Sequence, residues 1–107
     1  MEAHLGIRMT YATAMVLQAL DAGYRYGFDI AAVASLRPGS VYQILHRLEE
    51  SKLVVGAWED ADRARSEGRP SRRYYALTGS AEALVAESRR RFPGIEHAPG
   101  RSAWEGR

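Results

Sequence analysis

The chain has 107 residues, 46% of them hydrophobic, and a formal net charge of +2, which suits one globular domain and excludes a disordered chain. The absence of cysteine excludes disulfides and zinc–thiolate sites, and it is compatible with the reducing cytoplasm, where we expect the protein to reside. No apolar run approaches the roughly 20 residues that cross a bilayer, and the N-terminus lacks a signal-peptide pattern, so no membrane partner is expected.

The first predicted elements are two helices that precede a break in the chain. Residues 10–22 are rich in apolar residues at helical spacing, and Gly23 follows as a C-cap. A shorter helix is predicted at residues 26–34. The chain then breaks at residues 35–39, because Pro38 restricts the residue before it to extended geometry and suits the first turn of a new helix. Residues 26–52 therefore predict a helix, a short turn and a second helix.

The next helix, residues 38–52, is the most informative stretch of the chain. Its core face has an apolar stripe at i, i+3, i+4, i+7, formed by Val41, Ile44, Leu45 and Leu48. Ser40, Gln43 and Arg47 share the opposite face, and their side chains match the edges of base pairs in the major groove. Any amphipathic helix of a small domain can show such a polar face. The helix and turn before it favour recognition of DNA.

Downstream, the hydrophobic period changes from 3.6 to 2, which predicts β-strands at residues 53–59 and 72–78. The connection between them, residues 60–71, has no apolar periodicity and contains Gly68 and Pro70 as breakers. We therefore expect an exposed loop at the tip of a hairpin, the wing of a winged helix-turn-helix. Strand alternation predicts that one of Tyr74 and Tyr75 is buried and the other exposed, without indicating which.

This connection and the second strand concentrate positive charge. Five arginines fall in one short window: Arg63, Arg65, Arg69, Arg72 and Arg73. Guanidinium groups can hold phosphates by bidentate bonds or enter the minor groove. The alternative is a solvated flexible loop, whose charge is partly neutralised by Glu59, Asp60, Asp62 and Glu67. Beside a helix-turn-helix, phosphate binding is favoured.

The two ends of the chain bear on assembly. A last helix is predicted at residues 80–92, and Arg89, Arg90 and Arg91 complement the dipole of its final turn. Both terminal helices carry more apolar surface than one winged helix needs, so we expect them to form a homodimer, which residues 1–5 extend. Residues 93–107 lack a helical period and form a predicted C-terminal tail, in which Ile95 or Trp104 is anchored against a neighbour.

Three stretches, taken in order, resemble the PadR family of bacterial transcriptional regulators: GFDI at 27–30, PGSVYQILHRLE at 38–49 and RRYYALT at 72–78. The resemblance spans about residues 7–92. It implies a mainly α fold with a small β-hairpin (α+β), a winged helix-turn-helix domain over residues 1–92 with N- and C-terminal dimerisation helices. It also implies a homodimeric repressor that binds double-stranded DNA at an inverted-repeat, pseudo-palindromic operator and is released by an effector.

The resemblance also implies roles for individual residues. Ser40 and Tyr42 open the recognition helix of the family and are implied as DNA contacts. Phe28 stands where the family has tyrosine, so a phenolic hydroxyl is lost there, and Tyr26 is a candidate replacement. Lys52 replaces a glycine that is usual in the family, which affects backbone geometry, and Ala81 replaces another. The predicted DNA-binding residues are Tyr26, Arg37, Ser40, Tyr42, Gln43, His46, Arg47, Arg63, Arg65, Arg69, Arg72 and Arg73.

No set of catalytic residues emerges, so neither enzyme activity nor a required cofactor is expected. His46 and Glu50 lie at i, i+4, and Glu96 and His97 are neighbours, which makes both pairs weak candidates for binding a divalent metal effector. Two ligands do not make a site, and ordinary surface residues are the more common outcome. A small organic effector is the other option.

Sequence-specific repression is therefore the leading interpretation. Arg47→Ala is expected to relax sequence preference, whereas Arg69→Ala is expected to weaken binding to all duplexes alike. The main alternative is a winged helix used as a protein-interaction module, whose arginine-rich wing docks an acidic partner. A hydrolase is a third and remote interpretation.

Overall fold

Helices dominate the architecture, and one hairpin interrupts them. The computed structural model describes residues 7–96. Within that range, none of the helices combines the length and apolar character that a bilayer crossing requires. The predicted mainly α fold with a small hairpin is confirmed. Its elements are α1 (Tyr11–Asp21), α2 (Gly27–Ala34), α3 (Pro38–Glu50), β1 (Val54–Trp58), α4 (Ala61–Ser66), β2 (Arg73–Leu77) and α5 (Glu82–Arg91), with a 3-10 turn at Gly79–Ala81.

The core forms around α1, which contacts α2, α3, α5 and β2. Residues 13–20 of α1 are buried because these neighbours cover the helix on several sides. Leu17, Ile30 and Leu45, from three successive helices, are completely buried. The predicted apolar stripe of α3 is confirmed, since Val41, Ile44, Leu45 and Leu48 all face this core. Packing of that stripe leaves the opposite side of α3 toward solvent.

Two non-glycine residues lie in the left-handed region where helices end. Ser35, with φ of 57°, ends α2, and Lys52, with φ of 64°, follows α3. A side chain in this conformation is strained relative to glycine. The left-handed conformation expected at Lys52 is present, whereas no local pattern indicated one at Ser35. The left-handed residue at 35 makes the turn between α2 and α3 short, with α3 starting at Pro38.

The hairpin confirms both predicted strands, each shorter by one residue at either end. β1 and β2 pair antiparallel, with a register that runs from Val54 opposite Leu77 to Trp58 opposite Arg73. Tyr75 is the buried tyrosine, and Tyr74 is half-buried. The hairpin therefore leaves the core directly after α3, and its tip extends away from it.

The expectation of an irregular loop at residues 60–71 is wrong in its first half, where α4 forms. Asp60 caps this helix by accepting a hydrogen bond from the backbone N–H of Asp62 at 3.2 Å. Ala64 is buried beneath it, and Gly68, with φ of 69°, reverses the chain after it. Six residues are too few to show an apolar period, so only the breakers Gly68 and Pro70 were readable from the sequence.

The terminal helices pack on each other within the chain, so much of the apolar surface predicted for dimerisation is already covered. The buried Gln18 side chain joins them. Its Nε2 donates to the carbonyl oxygens of Ser88 at 3.2 Å and Phe92 at 2.8 Å, and its Oε1 accepts from the Ile95 N–H at 2.9 Å. Ile95 is thus anchored against its own chain, as residues 92–96 fold back over α1. Residues 1–5, His97 and Trp104, for which predictions were made, lie outside the described residues.

Candidate nucleic-acid interface

The outer face of α3 brings together the three predicted base-reading residues. Ser40, Gln43 and Arg47 are all exposed and border one groove of about 430 Å³. Residues 8–13 form the opposite wall of this groove, where Arg8 and Thr10 lie. No acidic side chain lines the groove among the residues that the structure describes. Guanidinium, amide and hydroxyl groups therefore give it an excess of hydrogen-bond donors and positive charge.

Arg37 and His46 flank this face. Arg37 is the N-cap of α3 and is exposed. His46 is exposed as well, and its Nε2 lies 3.2 Å from Oε2 of Glu50. Within residues 7–96, no three potential ligands cluster closely enough to hold a metal ion. Glu96 is exposed, and its predicted partner His97 lies outside the described range, so a metal effector at either pair stays a prediction.

Tyr42 is turned toward α2. Its ring lies against the backbone of Gly27, where an added Cβ would be 2.4 Å from Cζ and 2.5 Å from the hydroxyl oxygen. The ring of Phe28 meets it edge-on at 6.0 Å. Burial, with a smaller contribution from the neighbouring Tyr26 and Tyr75, raises the pKa of the Tyr42 hydroxyl. Tyr42 thus fixes the spacing between α2 and α3, and that spacing leaves room only for glycine at position 27.

Tyr26 lies between the helix-turn-helix and the wing. The guanidinium of Arg72 stacks over its ring at 4.5 Å, and the ring centroid of Tyr74 is 5.9 Å away. These three side chains border a cleft of about 460 Å³ between the wing and the start of α2. Tyr26 and Arg72 are therefore grouped with the wing and are separate from the groove beside α3.

Arg69 is the centre of an ion-pair cluster in the wing. Its guanidinium donates to both carboxylate oxygens of Glu59, at 2.6 and 2.7 Å, and to Glu67 at 2.7 Å. These hydrogen bonds from Arg69, followed by one from the backbone N–H of Arg72, outweigh burial and lower the pKa of Glu59 to about 2. Only 18% of the Arg69 side chain is exposed. Little of this guanidinium is left for a phosphate.

Two more wing arginines also have carboxylate neighbours. Arg63 Nε lies 3.7 Å from Glu59 and 3.5 Å from Glu67, and Arg65 pairs with Asp62 one turn earlier in α4. Both arginines are more than half exposed, so solvent weakens these pairs. The partial neutralisation expected from the acidic residues of this segment is present: Arg63 and Arg65 are exposed at α4, and adjacent carboxylates balance their charge.

Arg73 connects the wing to α3. Its Nη2 donates to Oε2 of Glu49 at 2.6 Å, and its guanidinium lies over the indole of Trp58 at 5.4 Å. Four of the five wing arginines thus have carboxylate partners, while Arg72 lies over Tyr26. Ser40, Gln43 and Arg47 form a separate exposed face on α3. Sequence reasoning missed Arg8 and the partner role of Glu49, although the apolar Ile7 and Met9 on either side of Arg8 hinted that its side chain points outward.

The sequence matches the transcriptional regulator PadR-like family over residues 16–87. This chain belongs to that family. No curated protein matches it. The PadR-like fold is shared with a PadR family transcription regulator from Clostridium difficile R20291, at 21% identity and a TM-score of 0.64 over 77% of this chain and 86% of that one. A PadR-like transcription factor from Bacteroides fragilis matches at 25% identity, with a TM-score of 0.52 over 71% of this chain and 77% of that one.

A second group of similar structures lies in the MarR family. Lactococcus lactis ZitR, solved in complex with DNA, matches at 18% identity and a TM-score of 0.58, over 82% of this PadR-like chain and 56% of ZitR. The chain therefore spans little more than half of that regulator. At this identity the likeness shows the winged-helix fold. The family match identifies the chain as a transcriptional regulator, a class whose activity is DNA binding and typically not catalysis.

Proposed function

We propose that this protein is a sequence-specific repressor that binds an inverted-repeat operator as a homodimer and is released by an effector. The observation that carries the proposal is the outer face of α3, where Ser40, Gln43 and Arg47 are exposed together and border a groove without acidic residues. A helix of 13 residues with one buried and one polar face fits the major groove. In other winged helices, this is the element that reads bases.

The residue types on this face suit distinct contacts. Arginine pairs with the O6 and N7 atoms of guanine, glutamine with adenine, and serine with either a base or a phosphate. Arg47 and Gln43 are thus the proposed base-reading residues. Tyr42, held against Gly27, has a positioning role, and Arg37 and His46 are proposed contacts at the two ends of the face.

The homodimer follows from how helix-turn-helix proteins read DNA. One protomer presents few base-reading side chains, and a two-fold axis places a second α3 in the next major groove. Because residues 92–96 cover part of α1, the contact must use surface that is still free, such as the start of α1, where Tyr11 is 55% exposed and its ring meets Phe92 at 6.1 Å. Light scattering of the DNA complex measures the stoichiometry, and one protomer per operator would contradict the dimer.

Release by an effector is supported by the cleft between the wing and α2. Its volume of about 460 Å³ is in the range of small-molecule sites, and it is lined by charged side chains and two tyrosine rings. A ligand there would contact both Tyr26 and Arg72 and would therefore change how the wing sits on the helix-turn-helix. A small polar molecule with an aromatic group fits this lining better than a metal ion does.

The alternative, a wing that docks an acidic protein, is weakened by the pairing of its arginines. Arg69 and Arg73 already bind Glu59 and Glu49 at 2.6 Å, so an acidic partner would have to displace carboxylates of this chain. The groove beside α3 carries unpaired charge instead. Its shape and its position on α3 favour DNA.

The test compares binding to DNA upstream of the protein's own gene with binding to random duplexes. Footprinting first locates the protected sequence. Arg47→Ala should then lower the preference for that sequence by about 1–3 kcal/mol, because one bidentate base contact is lost. Arg90→Ala is the matched control, since Arg90 is exposed on α5, and it should keep the full preference. Equal losses on both DNAs with Arg47→Ala, or no preference in the wild type, would contradict the proposal.

A further inference from the structure

We infer that Arg8, just before α1, is a phosphate contact beside the recognition helix, next to the base-reading Arg47. The inference rests on the proposed function and deepens it, because it adds a contact from outside the helix-turn-helix and the wing. Both side chains line the groove along α3, and both also line the small crevice next to it that contains Thr13 and Leu48. The occupant proposed for the groove is the DNA backbone that flanks the bases facing α3.

The backbone around Arg8 is held in place. The side chains of Ile7 and Met9 pack against the core, which leaves that of Arg8 directed outward. The carbonyl oxygen of Arg8 accepts a hydrogen bond from the Thr10 N–H at 3.1 Å. Thr10 in turn caps α1 by accepting from the N–H of Thr13 at 3.1 Å. The arginine is therefore presented from an ordered segment, which lowers the entropy lost on binding.

Charge pairing separates Arg8 and Arg47 from the wing arginines. Neither Arg8 nor Arg47 has a carboxylate partner among residues 7–96, whereas Arg63, Arg65 and Arg69 each have one. Two guanidinium groups on one groove without an acidic group repel each other, and an anion between them relieves that repulsion. Arginine also binds phosphate in a bidentate manner. A duplex backbone supplies such an anion next to the base-reading face.

Salt-dependent binding to a random-sequence duplex tests this inference. Fluorescence anisotropy gives the association constant at a series of salt concentrations for the wild type, Arg8→Ala, Arg8→Lys and Arg90→Ala. Each phosphate contact contributes about 0.9 to the slope of log K against log salt. Arg8→Ala should reduce the slope by about that amount for each bound protomer and weaken binding several-fold at low salt. Arg8→Lys should restore most of the slope, and Arg90→Ala should run parallel to the wild type.

The outcomes distinguish the two proposals. If the wild type binds with a steep slope and Arg8→Ala runs parallel to it, the phosphate contact of Arg8 is refuted while the repressor function stands. An equal loss with Arg90→Ala would mean that the effect reflects the overall charge of the protein, and it would also refute the Arg8 contact. A wild type without salt-dependent duplex binding refutes the proposed function itself. Because the Arg8 side chain is exposed, an unchanged unfolding temperature should accompany each variant.

Discussion

The recognition helix and the wing are attached to the protein in different ways. α3 is held by apolar side chains, with Val41, Leu45 and Leu48 completely buried, and by the close approach of Tyr42 to α2. Beyond the base of the hairpin, the tip of the wing is held by ion pairs, of which the pair between Arg69 and Glu59 is the most shielded from solvent. The first kind of attachment involves no titrating group and no charge that salt can screen, whereas the second depends on both pH and ionic strength.

This difference decides which charges are free to bind DNA. α3 is held by apolar contacts, and its Arg47 has no carboxylate partner among the described residues. The tip of the wing is held by ion pairs, in which Arg63, Arg65 and Arg69 bind carboxylates of the wing itself. A high local density of arginine is thus a poor measure of available positive charge. Arg8 and Arg47 have no carboxylate partner among the described residues, whereas Arg63, Arg65, Arg69 and Arg73 each have at least one.

The largest effect is expected where α2 meets α3. Gly27→Ala places a Cβ 2.4 Å from Cζ of Tyr42, so the ring or the helix must shift. Overpacking of this kind costs typically about 1–3 kcal/mol, which denaturant unfolding measures. The added methyl should also disturb the position of α3 and weaken DNA binding.

Gly39→Ala provides the matched control. Apart from its chain neighbours and the backbone of its own helix, no atom among the described residues lies within 4 Å of a Cβ built at Gly39, which is also helical and exposed. Alanine there should leave stability unchanged or raise it by up to about 1 kcal/mol, because alanine favours a helix. In a Gly27→Ala, Tyr42→Ala double variant, the ring that the added methyl would meet is also removed. The loss of stability should therefore be smaller than the sum of the losses in the two single variants. If Gly27→Ala is as stable as Gly39→Ala, the steric account of this contact is wrong.

An intermediate effect is expected from Arg69→Ala in the wing. The change leaves the Glu59 carboxylate, only 4% exposed, without its main partner, so thermal unfolding should occur several degrees lower. The salt slope of DNA binding should change little. Arg65→Ala is the control, because its pair with Asp62 is exposed, and it should stay within about 0.5 kcal/mol of the wild type. A stable Arg69→Ala variant with a reduced salt slope would instead make Arg69 a phosphate contact.

The smallest expected effect concerns pH. The pKa of Glu59 is about 2 in the folded protein, against an ordinary value of 4.5, chiefly because of its hydrogen bonds with Arg69. A carboxyl group whose pKa is lowered in the folded state stabilises the protein at pH values above its ordinary pKa. This stabilisation is lost as the pH falls toward the folded-state pKa. The difference in unfolding temperature between the wild type and Glu59→Gln should therefore be largest at neutral pH and should decrease as the pH falls from 4.5 to about 2.

A background lacking Arg69 provides the control for this pH dependence. With alanine at position 69, the main cause of the low pKa is gone, so the effect of Glu59→Gln should be smaller and less dependent on pH. An equal gap at every pH in the wild-type background would mean that the carboxylate charge of Glu59 does not stabilise the wing.

The sequence predicted those features that depend on local patterns. The spacing of Val41, Ile44, Leu45 and Leu48 correctly gave the buried face of α3, and Pro38 gave its start. Alternation of strand-forming residues located both strands to within one residue. These features were predictable because the spacing of apolar residues along a short segment indicates its secondary structure and the face that can be buried.

Features that depend on distant partners could not be predicted. Arg73 and Glu49 are separated by 24 residues, and Gln18 and Ile95 by 77, so no local pattern connects them. Likewise, the sequence indicated that one of Tyr74 and Tyr75 is buried, but the choice depends on which face of the hairpin meets the core. The groove beside α3 was only half predicted, because its second wall, with Arg8, comes from a segment before the first helix.

The contact between Arg73 and Trp58 gives the wing a built-in optical reporter. The indole is 67% exposed and lies 5.4 Å from the guanidinium that also binds α3, so its emission should respond when the hairpin changes position or meets another surface. Because the chain has one other tryptophan, Trp104→Phe makes the signal specific to this site. Movements of the hairpin can then be followed in real time without any dye attached to the protein.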